Sequence, residues 1–184
     1  MSYEPPPAPD QPPYGYVPGG TRPAELMDRF LARLIDFVML FVVNIIVVSV
    51  IIIGAIMGES GGAGFGMGGG FLVGAVTAVL TTIIYLGYFS FMESSRGQTV
   101  GKMVMKLRVV GPQGGNPTME QAIRRNIWTG LGILGIVPIL GGLVAFVGQI
   151  VAVVMIAVGI NNDAVNRQAW HDHFAGETRV IKEG

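Results

Sequence analysis

The 184-residue chain has no cysteine, so disulfides, thiolate metal sites and a cysteine nucleophile are excluded. It also lacks an excess of either charge. Lys and Arg number 12 against 12 Asp and Glu, which leaves no basic footprint for nucleic acid. Charged residues make up only 13%, about half the usual share in soluble domains. No cleavable signal is expected, because the first 23 residues contain eight of the eleven prolines and no apolar core. Residues 1–24 are read as a disordered, partly polyproline-II tail.

Long apolar runs are present instead. Leu34 to Met57 carries one charge, Asp36; Phe71 to Met92 carries none; Ile127 to Ile160 is uncharged over 34 residues. About 20 apolar residues cross the hydrocarbon core, so each run is long enough. The polar faces of a soluble bundle are missing. The expectation is an all-α membrane protein with about four transmembrane segments in two hairpins and a small cytoplasmic β element.

The membrane domain spans 25–184, with helices at about 26–57, 71–92, 127–137 and 143–160. A glycine-rich loop, Gly58 to Gly70, joins the first two and lacks the Gly-Lys-Ser/Thr ending of a phosphate-cradling loop. Gly70, Gly74 and Ala78 recur at four-residue spacing, a pattern that admits close helix approach. The last run would measure about 51 Å as one helix, too long for the bilayer core without strong tilt. Pro138, Gly141 and Gly142 lie at its middle, so the second hairpin is expected to be short and broken at Pro138/Gly141. In the polar section between the hairpins, 103–110 (MVMKLRVV) reads as a strand, pairing with a second at 178–182. Thr118 and Gln121 read as the N-cap and third residue of a helix carrying Arg124 and Arg125 toward the membrane surface.

Topology follows from the cations. They flank the first helix (Arg22, Arg29, Arg33), fill the central section and recur in the tail, while the glycine-rich loop has none. Positive-inside bias therefore places both termini and the central section in the cytoplasm.

Arg29, Arg33 and Asp36 fall at i, i+4 and i+7, on one helix face. Arg33 and Asp36 are spaced to pair, whereas Arg29 sits about 10.5 Å below Asp36 and needs a partner from elsewhere. An aspartate in a membrane helix is costly when unpaired, yet Asp36 lies near the headgroups, so an interfacial ion pair competes with an ion-binding role. Deeper, Asn44 and Gln149 call for partners across helices; with Asp36 they would make a sparse polar path. His171, Asp172 and His173 offer metal-ligand types, but adjacent side chains diverge, and no metal or cofactor is assigned.

These residues carry a resemblance. The first helix reads RFLARLID, the central section GQTVGKMVMKLRVV followed by RRN at 124–126, and the ending WHDHFAGETRVI. Three motifs in this order over Arg29 to Ile181 resemble the RDD family of bacterial membrane proteins, named for an arginine and two aspartates. The resemblance implies that Arg29, Asp36 and Asp172 are the family charges, with Gln98, Lys102, Arg124, Arg125 and His171 in supporting motifs. The proline-rich tail resembles that of actinobacterial members. Glu177 stands as an extra residue between Gly176 and Thr178, which opens the strand register. The resemblance also gives Arg29 a partner: an Arg29–Asp172 pair is expected to clamp the tail to the foot of the first helix.

Two functions compete. The first is an accessory, assembly or regulatory protein bound to other membrane proteins or to further copies of itself. The second is a small oligomeric transporter, a cation or proton exchanger using Asp36. No paired-carboxylate, Ser-His or metal constellation points to an enzyme.

Overall fold

The computed structural model describes residues 20–58 and 67–183. The tail's first 19 residues and most of the glycine-rich loop, both assigned from sequence, lie outside them. Helix α1 runs over Leu26–Gly58 and α2 over Met67–Arg96. Helix α3 follows at Val100–Val104, strand β2 at Leu107–Val110 and α4 at Met119–Asn126. A 3-10 segment, Ile127–Ile136, then leads into α5, Leu140–Asn162. The chain closes with α6, Trp170–Phe174, and β3, Arg179–Lys182; a two-residue strand β1, Arg22–Pro23, precedes α1.

Three of these helices, α1, α2 and α5, are long and apolar enough to cross a membrane. Their outer faces suit lipid. Phe41 is 61% exposed and Phe146 63%, which would be unfavourable over such an area in water. The second apolar half is not two similar helices. Its first limb is the 3-10 segment, packed between α2 and α5. The break falls at Pro138–Ile139, where Ile139 has a left-handed φ of 64°. Gly141 and Gly142 do not break the chain but open α5. A Cβ on Gly141 would collide with the Leu134 carbonyl, so glycine is what lets the two limbs turn tightly.

The sheet has the order β1-β3-β2, antiparallel throughout, with Leu107 opposite Lys182 and Arg22 also opposite Lys182. Three distant segments thus meet on one side of the helices. The pairing of the tail with the central section agrees with the sequence reading, with two corrections. Arg22–Pro23, assigned to the disordered tail, is an edge strand. Met103 and Val104, assigned to the strand, belong to α3, because Thr99 caps a helix there through its side chain to the Lys102 N–H. Thr118 and Gln121 form the expected capping box. The extra Glu177 is absorbed as a bend: Gly176 and Glu177 both take positive φ, and β3 pairs regularly beyond it. Ala24, Ala32, Leu107, Val109 and Val180 form the small core beneath the sheet.

Candidate functional site

The sequence places Arg29 without a partner in its own helix, and the fold supplies one from 143 residues away. Arg29 Nη1 donates to Asp172 Oδ2 at 3.1 Å, Nη2 to the Arg167 carbonyl at 2.6 Å and Nε to the Ala24 carbonyl at 3.1 Å. Asp163 shapes the loop that offers Arg167, accepting from the N–H groups of Val165, Asn166 and Gln168. The other Asp172 oxygen faces Arg125 Nη2 at 3.0 Å. Asp172 is fully buried, so a single carboxylate joins α1, α4 and α6. Burial raises its pKa, but Arg125, His171 and Arg29 outweigh this and hold it well below the usual carboxylate range.

Arg33 does not pair with Asp36. Its Nη2 donates to Asn126 Oδ1 at 2.9 Å, and its guanidinium lies 3.9 Å from the centre of the Phe89 ring. Asp36 turns instead to α3 and α2. It accepts from Thr99 Oγ1 at 2.6 Å, the Gly101 N–H at 2.7 Å and the Tyr88 hydroxyl at 2.8 Å. Both residues are better served this way than by each other. The aspartate receives three donors, and the arginine gains an aromatic face in a desolvated place.

Glu93, which sequence reasoning missed, completes the cluster. It is fully buried, bonded to Lys102 Nζ and accepting from Asn126 Nδ2 at 2.8 Å. Burial outweighs the opposing pull of Glu93 and holds Lys102 down at about 8. Its only sequence signal is an acid at the end of an apolar run, nine residues before a lysine. Gln98 positions the same segment, its Nε2 donating to the Leu107 carbonyl.

The remaining candidates separate. Arg124 is exposed and pairs with Glu120 at 2.5 Å on its own helix. Asn44 reaches across helices as expected, donating to Thr81 Oγ1 at 2.8 Å. Gln149 lines a second cavity, of about 550 Å³, with Thr81, Thr82, Tyr85 and Thr129. No hydrogen bond among the described residues links Asp36, Asn44 and Gln149 into a path. A Cβ on Gly70 or Gly74 would meet nothing within 4 Å, so the small-residue face is not packed among the described residues; of the three, Ala78 packs, against Gly135. Close approach occurs at Gly101, where a Cβ would strike the Ala32 carbonyl of α1.

His171 and His173 face different surroundings. His173 is exposed beside Glu177, at 3.0 Å. His171 is buried 3.8 Å from Asp172, too far for a hydrogen bond, with Arg125, Arg29 and Arg33 also around it. Burial pushes it down to about 3, so it is neutral in the fold. The unfolded chain binds a proton on this group below its ordinary 6.5 and the fold does not, so stability falls as pH drops from 6.5 toward 3. A His171→Gln variant is expected to show a flatter melting temperature against pH between 6.5 and 4 than the wild type. Parallel slopes for the two proteins would show that His171 is not buried neutral.

A sequence model of the RDD family matches residues 23–176. No curated protein and no solved structure matches the chain significantly. The match takes in Arg29, Asp36 and Asp172, the residues through which α1 is fastened to the elements around it.

Proposed function

Because the chain belongs to the RDD family, whose members are membrane proteins, we propose an accessory, assembly or regulatory component of a larger complex in the bacterial plasma membrane. Both termini are assigned to the cytoplasm. This is supported by positive-inside bias and by the sheet, which gathers the cation-bearing segments on one side of the helices. The last apolar run leaves that side and returns to it. Its outward limb is the 3-10 segment, about 20 Å long at 2.0 Å per residue, a partial fourth span.

The observation that favours an accessory role over cation exchange is the state of Asp36. Its oxygens already accept from Tyr88, Thr99 and Gly101, and the residue is 1% exposed. Glu93 and Asp172 are likewise committed, to Lys102 and to Arg29 and Arg125. An exchanger needs a carboxylate that its cation can reach and leave, and these three act as fasteners. The reading assigns no catalytic activity; the partners would be other membrane proteins or further copies of the chain.

Reconstituted proteoliposomes under sodium, potassium and proton gradients test this. The expected result is no flux above empty vesicles, for wild type and Asp36→Asn alike. Wild-type flux that disappears in Asp36→Asn would replace the accessory reading with a cation or proton exchanger.

A further inference from the structure

Between the first turns of α1 and the last turns of α5 lies a cavity of about 320 Å³. One wall is apolar, built from Leu26, Met27, Phe30, Val153 and Ile156. Met27 and Phe30 are more than half exposed on the lipid-facing surface, so this wall continues into the bilayer. The opposite wall carries Arg29, Arg33, Lys102 and Arg125, with Trp128 and His171 beside them.

Hydrogen bonding on that wall is incomplete. The four cations line the cavity with a single carboxylate, Asp36, whose oxygens are taken. Glu93 and Asp172 stand behind the wall and Asp163 acts on Arg29, so what the wall lacks is acceptors rather than negative charge. Arg125 Nε and Nη1, Arg33 Nη1 and Trp128 Nε1 have no partner among the described residues, although Arg125 is 3% and Trp128 6% exposed. Guanidinium and indole N–H groups only donate, so what completes them must be an acceptor.

We propose that this cavity binds an anionic phospholipid, its phosphate received by Arg33, Arg125 and Trp128 and its acyl chain laid along Met27, Phe30 and Val153. A phosphodiester offers acceptors and no donor, and arginine is well suited to phosphate oxygens. Free phosphate shares the headgroup chemistry, but the apolar wall opening to the bilayer assigns the lipid. The inference rests on the membrane setting alone and stands apart from the accessory role.

The test uses the full chain in neutral detergent, with phosphatidylglycerol, phosphatidylcholine or inorganic phosphate added, read by native mass spectrometry and thermal shift. One phosphatidylglycerol per chain is expected, held about tenfold more tightly than phosphatidylcholine, whose phosphate is the same but whose choline would bring a further cation beside the arginines. Trp128→Phe, which keeps the ring and loses only the N–H, is expected to weaken retention about fivefold. Ala157→Trp, which fills the cavity, is expected to abolish it; should that variant fail to fold, Trp128→Phe decides. Equal retention of the two lipids, or phosphatidylglycerol retention unchanged in the variants, would overturn the site. Full stabilisation by inorganic phosphate would overturn the lipid assignment. None of these outcomes depends on the flux measurement.

Discussion

An Asp172→Asn variant is expected to lose about 3–5 kcal/mol of folding stability, the usual cost of removing one member of a buried ion pair. Asparagine has nearly the same shape, so packing is kept and charge is what changes. Arg29 and Arg125 would then lie buried without the carboxylate they share, one on α1 and the other on α4. Asp172 also accepts from the Ala169 N–H and lies 3.4 Å from Thr178 Oγ1, where α6 passes toward β3. The loss should therefore loosen the tail from the helices. It is read as a lowered melting temperature in detergent and as faster proteolysis after α5. A pH dependence follows with a definite sign. The folded pKa of Asp172 lies below its ordinary 3.8, so its contribution is complete above that value and is lost as pH falls beneath it. The variant should lack this acid step. A variant as stable as wild type at neutral pH would show that Asp172 carries no such burden.

Gly101→Val is expected to cost about 3 kcal/mol or more, the upper range for overpacking a tight site. Gly101 presses on α1 so closely that a Cβ would overlap the Ala32 carbonyl and come within 3.0 Å of Asp36 Cγ. A side chain there must push α3 away from α1. The same movement would take the Gly101 N–H and Thr99 Oγ1 from Asp36, leaving a buried carboxylate with the Tyr88 hydroxyl. The expected result is poor membrane accumulation, measured against the wild type at equal expression. Normal accumulation and melting would mean that α3 does not dock on α1 through this glycine.

The membrane character, the capped α4 and the pairing of the tail with the central strand were legible because each rests on local chemistry. Arg29 was legible by elimination: helical rise separates it from Asp36, so its partner had to come from another segment. Arg33 and Asp36 were misread for a related reason. Spacing shows which residues can pair within a helix, but not that Asn126 and the Phe89 ring, or Thr99 and Gly101, offer more. Glu93 was hidden because its meaning depends on Lys102 and Asn126 arriving beside it in three dimensions. At α5, Gly141, which would weaken an isolated helix, marks where the limb carrying Leu134 presses against its first turn. Gly70 and Gly74 show the converse, a packing pattern whose face stays open among the described residues.

The central claim is that a buried carboxylate on the tail and an arginine at the foot of α1 hold each other in place. A double-mutant cycle on Arg29→Met and Asp172→Asn, read by equilibrium unfolding in detergent, measures this most directly. The account predicts a coupling energy of about 2 kcal/mol or more, with the double variant less damaged than the sum of the single ones. Additive effects would contradict it, because they would mean that Arg29 and Asp172 do not share a bond.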